Sequence, residues 1–256
     1  MILSIPSMVP RSDRVHVVRD NETQTYRSDY TERKAGVPQL LLVEQFIPGS
    51  EILPHFHTID QFQVFIGGEG RLGHHAVEAI AIHYSNGHTG YGPIVAGERG
   101  LSYYVLRPGF DVMGSQYLHV PEAHKNLKPG GKRYFLAEGI KPRPEAELRK
   151  IAAPEVRRVI GVRPGDPDAG IFAEILSMGP HAPHTGSDPG RGGGQVYLVL
   201  AGALTHEGQE LGSRAAIAVT RDERTVTFAS GADGAQVMVL QYPRRSQPAA
   251  STVENQ

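Results

Sequence analysis

The first half of the chain carries its apolar residues in short runs that turn-forming residues interrupt. Runs of this length, about 8–20 residues apart, favour the short strands of a sandwich or barrel over long helices. Pro48-Gly49 ends the first run in a turn. The predicted strands are Gln39–Ile47, Gln61–Ile66, Ala79–Tyr84 and Leu101–Arg107, with an edge strand around Val15–Val18.

The same rhythm returns in the second half, after a segment of different character. Pro144 can begin a short helix over Glu145–Ala153, and Pro154 would end it. The turn-rich residues 161–170 complete a candidate linker. Beyond this linker the predicted strands are Gly170–Ser177, Gln195–Leu200, Ala215–Thr220, Thr225–Phe228 and Gln236–Tyr242.

The two halves share one pattern, which indicates an internal repeat. Each half holds a Pro-His pair, a second histidine, a glutamine, a strand and a glycine in that order. Seven positions separate Gln61 from Gly68, and seven separate Gln195 from Gly202. Units of this size are too long for a solenoid, so the repeat predicts two similar domains in tandem.

These residues resemble the first motif of the cupin superfamily, G-x5-H-x-H-x3/4-E-x6-G. Gln61 stands where the family usually has glutamate. The resemblance implies an all-β bicupin, in which two tandem antiparallel jelly-roll barrels are joined by a short helical linker. The matching residues of the first half are Gly49, His55, His57 and Gly68. The looser match of the second half comprises His181, His184, Gln195 and Gly202.

The resemblance and the candidate linker together divide the chain into five segments. We expect an N-terminal arm, a first cupin domain, a linker, a second cupin domain and a disordered tail. The tail is polar and offers little to pack. The expected bounds are 1–37, 38–140, 141–168, 169–243 and 244–256.

A metal site is predicted inside the first barrel. Two histidines that are two positions apart on a strand face the same side, and neutral imidazoles that converge in a barrel can bind a divalent ion. The resemblance implies such a metal (Fe, Mn, Ni or Zn), although the usual histidine of the second cupin motif is missing near Leu101. A bare polar pocket with acid or base histidines is the alternative. The predicted ligands are His55, His57, Gln61 and the loop residue His88, with His83 as the alternative third histidine.

Further polar residues are candidates for a substrate pocket. Gln63 shares a strand face with Gln61, and Tyr103 and Arg107 share one on the next long strand. Arg107 has an alternative interpretation as an exposed charge at the end of a strand. Tyr197 is the remaining candidate of this set.

The second barrel has a weaker version of the site. His181 and His184 are three apart, so a regular strand would point them to opposite faces unless Pro183 redirects one. We predict a pocket formed by these two histidines and Gln195. The alternative is that both histidines only form hydrogen bonds to the backbone of a buried turn.

Composition excludes several classes of function. The 256 residues include no cysteine, which excludes disulfides, thiolate catalysis and cysteine-ligated metal sites. A formal net charge of −1 gives no general electrostatic attraction to nucleic acid or an anionic membrane. No apolar run approaches the roughly 20 residues that span a bilayer. Since the opening residues also lack the basic start of a signal peptide, we expect a soluble cytoplasmic protein.

Two hypotheses of function follow. The first is a metal-dependent small-molecule enzyme of the dioxygenase or isomerase type that the resemblance implies, although Gln61 removes the carboxylate of a two-histidine iron site. The second is a non-catalytic binding or scaffold bicupin with degenerate metal sites. Both predict a small-molecule ligand and no nucleic-acid or membrane partner. A homodimer is compatible with both, because jelly-roll sheets have edges that must be covered.

Overall fold

The computed structural model describes residues 1–19, 21–128, 133–162 and 169–244. No helix among these residues is long and apolar enough to cross a membrane. The helices are α1 (Glu145–Leu148) and two 3-10 helices, Pro121–Asn126 and Pro189–Arg191. The first strands are β1 (Ile2–Ile5), β2 (Val15–Val18), β3 (Gln24–Asp29), β4 (Gln39–Gln45), β5 (Glu51–Ile52), β6 (His55–Phe56), β7 (Gln61–Leu72), β8 (His75–Glu78), β9 (Ala81–Ser85), β10 (Ile94–Arg107), β11 (Gln116–Tyr117) and β12 (Tyr134–Ala137). The later strands are β13 (Glu155–Gly161), β14 (Phe172–Met178), β15 (Pro183–Thr185), β16 (Gln195–His206), β17 (Gln209–Leu211), β18 (Ala216–Val219) and β19 (Thr227–Gln241).

These strands form two large antiparallel sheets. The N-terminal sheet has the order β12-β9-β7-β10-β4-β3-β2, with β5 on β10 and β8 on β7. The C-terminal sheet has the order β1-β18-β16-β19-β14-β13, with β15 on β19 and β17 on β16. A separate pair joins β6 to β11. The predicted fold class, all-β with antiparallel jelly-roll barrels and a minor helical segment, is confirmed.

Both faces of the central strands are buried, which explains their nearly continuous apolar sequences. Leu40 and Leu42 of β4 and Phe62 of β7 belong to a core that also contains Val196 of the C-terminal sheet. The ring of Phe62 lies 5.2 Å from the ring of Tyr242. The two sheets therefore pack directly on each other through one face of each.

The opposite faces line the barrel interiors. In the first barrel, Leu41, Val43 and Val105 belong to an apolar interior cluster. Antiparallel pairing sets the beginning of β4 beside the end of β10, with Gln39 opposite Arg107. The polar residues at these strand ends therefore gather at one end of the barrel, which we call the polar end.

The first strand belongs to the sheet of the other half. β1 pairs with β18, from Ile2 opposite Val219 onward, whereas β2 and β3 belong to the N-terminal sheet. Met8, which is fully buried, donates its N–H to the Arg214 carbonyl at 2.7 Å. The Tyr104 hydroxyl donates to the Met8 carbonyl at 2.7 Å. The segment predicted as an arm thus supplies strands to both sheets.

The segment predicted as a linker also contains regular structure. Its helix α1 begins where the proline pattern predicts but is shorter than expected, and it buries Leu148. β13 then forms an edge of the C-terminal sheet. Residues 163–168 of the linker and 245–256 of the predicted tail lie outside the described residues, and the domain bounds remain a prediction.

The glycine at the end of the repeated motif is required by the backbone geometry in both halves. Gly68 has a φ of +73° and Gly202 a φ of +69°, the left-handed region that favours glycine. A Cβ at Gly68 would lie 2.0 Å from the Gly100 carbonyl oxygen, and one at Gly202 would lie 2.1 Å from that of Gly234. The repeated glycine therefore marks an irregularity in the strand pairing at which two backbones approach closely.

Candidate functional site

The first barrel holds a cavity of about 170 Å³ at its polar end, and the cavity is partly open to solvent. This volume is below the roughly 300–1,000 Å³ of pockets that hold drug-sized ligands, so the cavity suits a smaller molecule. Of the residues predicted for the site, the cavity wall brings together His55, His57, Gln63, Tyr103 and Arg107.

His55 and His57 occupy the centre of the predicted site, and both are buried. The Nδ1–H of His55 donates to the Leu53 carbonyl at 2.8 Å, which leaves Nε2 as an acceptor for the Tyr91 hydroxyl at 2.9 Å. The Nδ1 of His57 lies 2.5 Å from Asp111 Oδ2 and donates to it. Each ring therefore has its Nδ1 held by a neighbour and its Nε2 directed at a donor.

Arg107 is the central donor of the site, and only 6% of its surface is exposed. Its Nη2 donates to His57 Nε2 at 3.0 Å and to Gln61 Oε1 at 3.0 Å. Its Nε donates to the same Gln61 oxygen at 3.1 Å, and its Nη1 donates to Gln39 Oε1 at 2.7 Å. Four of the five guanidinium N–H groups thus have acceptors among these residues. The alternative of an exposed charge at the strand end does not hold.

Gln61 connects the two histidines through its amide. Its Oε1 accepts the two bonds from Arg107, and its Nε2 donates to the Tyr91 hydroxyl at 2.5 Å. Since that hydroxyl in turn donates to His55, one chain of hydrogen bonds joins His55 to His57. A glutamate at position 61 would lack the N–H that Tyr91 needs.

The burial of this network sets its protonation. Burial, with the nearby His57, lowers the pKa of His55 from 6.5 to about 3. Burial and the charge of Arg107 lower the pKa of His57 to about 4. Burial raises the pKa of Asp111, but its hydrogen bond from His57 and the charges of His57 and Arg107 outweigh burial and hold the pKa below its ordinary value. At neutral pH the site therefore holds two neutral imidazoles, one carboxylate and one guanidinium.

A third histidine adjoins this network, and it is His83. The register of β7 and β9 sets His83 opposite Gln63, so both point into the barrel. The Nδ1 of His83 lies 2.7 Å from Gln63 Oε1 and donates to it, and its ring lies 5.1 Å from the Tyr91 ring. Burial, with His75 nearby, lowers the pKa of His83 to about 3.

The predicted ligand His88 does not line this cavity. It follows β9 in a loop, and its Nδ1 donates to the Asn126 carbonyl at 2.8 Å. Its side chain lines a groove that also contains Tyr242 and Arg221 of the second half. The backbone N–H of His88 donates to the His57 carbonyl at 2.7 Å, but His88 is not among the residues that line the cavity with His55 and His57.

The second-barrel histidines do not converge. His181 is exposed with a φ of +52°, and half-buried His184 packs on the ring of Phe228 at 5.3 Å. Burial lowers the pKa of His184. Neither histidine contacts Gln195 among the described hydrogen bonds, so the three predicted residues do not form one constellation.

Gln195 and Tyr197 belong to a closed network instead. The Tyr197 hydroxyl donates to Gln195 Oε1 at 2.7 Å, and Gln195 Nε2 donates to Gln241 Oε1 at 2.8 Å. A Cβ at Gly186 would lie 2.1 Å from the Tyr197 oxygen. Tyr197 therefore packs closely against Gly186 in the second barrel, and it is not among the residues that line the first-barrel cavity.

Equivalent positions in the strand pairing of the two sheets show which polar residues of the first barrel are replaced in the second. Gln63 faces His83 in the first sheet, and Tyr197 faces Ile217 at the same place in the second. Arg107 has its counterpart in Gln241, the residue that pairs with Gln195. The second barrel thus lacks both the third histidine and the buried cation.

Comparisons with known proteins show the fold. No family model matches the sequence, and no curated protein matches it. A proposed dioxygenase from Nostoc punctiforme has a TM-score of 0.59 at 15% identity, over 97% of this chain and 84% of its own. An oxalate decarboxylase from Lactobacillus farciminis, in complex with formate, has a TM-score of 0.55 at 13% identity, over 96% and 87%. A pirin from Escherichia coli, in complex with nickel(II), has 0.53 at 10% identity, over 95% and 100%.

These neighbours share one architecture, which the two sheets of the present structure reproduce over nearly their whole length. The chain has the cupin fold. At 10–15% identity the likeness concerns the fold, and it assigns no subfamily. The expected cupin fold is confirmed.

The donor atoms of this site do not fit a resident divalent metal as they are arranged. The three predicted ligand atoms with free lone pairs, His55 Nε2, His57 Nε2 and Gln61 Oε1, all accept hydrogen bonds from Tyr91 or Arg107. A guanidinium 3.0 Å from two of them would repel a divalent cation strongly in a buried site. Within the described part of the chain, no three His, Cys, Asp or Glu side chains form a metal-binding group.

Several site residues had no signal that pointed to the cavity. Asp111 and Gln39 contact Arg107 from outside the motif, and Arg19, Arg27 and Arg33 line the cavity from the predicted arm. Gln39 is far from Arg107 in sequence, and Asp111, although only four residues after Arg107, lies beyond the end of the predicted strand. The signal for His83 was present, because His83 faces opposite to Ile82 and Tyr84, which lie in the shared core.

Proposed function

We propose that this cupin binds a small polar molecule in the cavity of its first barrel and that its second barrel is a scaffold. One observation carries the proposal: a cavity open to solvent lies against a connected, buried polar network in one barrel, whereas at the equivalent register of the other barrel Tyr197 packs closely against Gly186. Charged groups are costly to bury, so a purely structural barrel gains little by keeping Arg107 and Asp111 inside.

A matched pair of tyrosine variants tests this proposal. Y91F removes a hydroxyl that bonds to His55 and Gln61 beside the cavity, and Y197F removes one that bonds to Gln195 in the second barrel. Calorimetric titration with the molecules that raise the melting temperature of the wild type gives their affinities. We expect Y91F to weaken binding about tenfold, which corresponds to about 1.4 kcal/mol, and Y197F to leave it unchanged. Equal losses in both variants, or a wild type that binds nothing from a broad panel of small polar molecules, would overturn the proposal.

A metal-dependent enzyme is the second candidate. It is favoured by two neutral imidazoles whose ring centroids lie 5.2 Å apart, since the neutral form is the one that binds metal. The pirin neighbour carries nickel(II). In this chain, a metal at His55 and His57 would require Arg107 to leave the centre of the site. If a metal binds there, H55A should abolish its binding and H206A, in the second barrel, should retain it.

A homodimer is the partner that the sheet edges support. β2 and β13 each end a sheet, and Val15, Val18 and Val156 are exposed on them. Exposed edges with apolar residues favour pairing with another strand. Light scattering on the purified chain measures this directly, and the mass of a single chain would contradict the homodimer.

A further inference from the structure

We infer that the cavity of the first barrel recognises a small dianion, a dicarboxylate or a phosphate monoester, through Arg19 and Arg33. The inference rests on the proposed function and adds the class of ligand to it. It depends on three observations: the charge of the cavity wall, the free donors on that wall, and the size of the cavity.

The wall has an excess of positive charge. Four arginines line the cavity, Arg19, Arg27, Arg33 and Arg107, and Asp111 is the acidic residue that lines it with them. Arg107 lies 3.8 Å from Asp111, and Arg27 pairs with Asp29 at 3.0 Å. Among the residues that the structure describes, these two pairs leave Arg19 and Arg33 without a carboxylate partner, so an anion with two negative charges would neutralise this part of the wall.

The same two arginines have unused donors. Arg19 donates to the Thr25 hydroxyl at 2.7 Å, and Arg33 stacks on the Phe110 ring with its guanidinium carbon 5.5 Å from the ring centre. Within the described ranges, neither guanidinium has a carboxylate partner. Each guanidinium has five N–H groups in a planar fork that matches a carboxylate or a phosphate.

The position of these side chains suits recognition of a molecule that enters from solvent. Arg33 is exposed and Arg19 is half-buried, whereas Arg107 is buried and nearly saturated with acceptors. The charge of Arg19 reaches the interior, where it contributes to the lowered pKa of His55. Arg19 and Arg33 thus donate hydrogen bonds to the bound anion, and the positive charge of Arg107 attracts the anion from the inner end of the cavity.

The ligand must be small. The cavity of about 170 Å³ is about half the lower limit that is typical for drug-sized ligands. A short dicarboxylate or a small phosphate monoester satisfies this limit and places two charges within reach of the arginines. A nucleotide or a larger phosphorylated molecule exceeds it.

The experiment is a calorimetric titration of metal-stripped full-length protein with five probes. Succinate and glycerol 3-phosphate separate the two sources of a dianion, and inorganic phosphate tests the smallest one. Butyrate is the monoanionic control, and succinamide is the uncharged control with nearly the shape of succinate. We expect one or more of the dianions to bind at least about tenfold tighter than both controls, with an affinity that falls as salt is added.

Charge-removing variants locate the binding. R19Q and R33Q lie outside the buried network, so the fold is retained, and we expect the double variant to lose about tenfold or more in affinity. R71Q removes the same charge from an exposed position outside the cavity wall and should bind like the wild type. Unchanged binding in the double variant, or an equal loss in R71Q, would overturn the inference.

The outcomes also separate this inference from the proposed function. If succinamide binds as well as the dianions, with a loss in Y91F, the cavity is a binding site but not a dianion site. If none of the five probes binds while another small molecule binds and depends on Tyr91, the inference fails and the proposed function stands. If neither these probes nor a broad panel binds, both fail.

Discussion

Among single residues, Arg107 determines what the first barrel can do. Its position four residues after Tyr103 predicts that the two share a face, and the structure agrees, since both line the cavity. Its partners could not be predicted from spacing. Gln39 and Gln61 come from distant segments, and the pairing of β4 and β7 with β10 brings them to the guanidinium, whereas Asp111 follows Arg107 by four residues in the turn after β10.

The buried histidines predict sensitivity to acid. Their pKa values in the fold, about 3 for His55 and His83 and about 4 for His57, lie below the ordinary 6.5. Between these values the unfolded chain binds more protons than the folded one, so the free energy of unfolding should fall as the pH drops from 6.5 toward 4. Urea unfolding at a series of pH values measures this fall.

Two histidine variants test which histidines cause the loss of stability in acid. H83Q keeps an amide opposite Gln63, and it should reduce the slope of the unfolding free energy against pH by up to one proton, because it removes one of the three buried histidines whose pKa is lowered. H16Q removes a histidine from the exposed strand β2 and should keep the wild-type profile. A wild-type stability that does not change over this range would show that these histidines are not buried as neutral groups.

At the scale of whole strands, the sequence predicts where the apolar strands lie better than it predicts which strands pair with each other. The runs at Gln39–Ile47 and Leu101–Arg107 became β4 and the end of β10, because their apolar residues fill both a barrel and the shared core. The short β1 gave no indication of the sheet it joins. Its partner β18 lies more than 200 residues away, and pairing at that distance depends on the packing of the complete fold.

Because β1 belongs to the C-terminal sheet, the residue Met8 that follows it is expected to contribute strongly to stability. Met8 is fully buried and follows the strand that closes the edge of the C-terminal sheet. M8A should lower the free energy of unfolding by about 2–5 kcal/mol, because it leaves a cavity in the packed interior. V9A is the matched control, since Val9 is 45% exposed and its loss should cost less than about 0.5 kcal/mol. Chemical denaturation compares them, and similar losses would mean that this segment is not docked as described.

For the whole molecule, the shared core joins two barrels that the repeat predicts as separate domains. Phe62 of the first half and Tyr242 of the second lie in direct contact, and Met8 links Tyr104 to Arg214. The repeat extends beyond the histidine motif, and its further positions show a difference between the two halves. Extended along β18 and β19, it sets Ile217 and Gln241 where the first half has His83 and Arg107, which indicates that only the first barrel keeps the polar network.

The shared core predicts that both barrels unfold together. A mixed core of this kind couples the two sheets, so differential scanning calorimetry should show one transition whose calorimetric and van't Hoff enthalpies agree. F62A, at the contact between the sheets, should shift the whole transition to lower temperature. Two separate transitions in the wild type would show that the sheets are independent.

At the centre of the first barrel we expect the cation to be the guanidinium of Arg107 and not a metal. Elemental analysis of the chain purified without a histidine tag tests this most directly. We expect less than about a tenth of an equivalent of iron, manganese, nickel, copper or zinc, because the nitrogen and oxygen acceptors of the site are already occupied by hydrogen bonds. About one equivalent of any of these metals, lost in H55A, would contradict it.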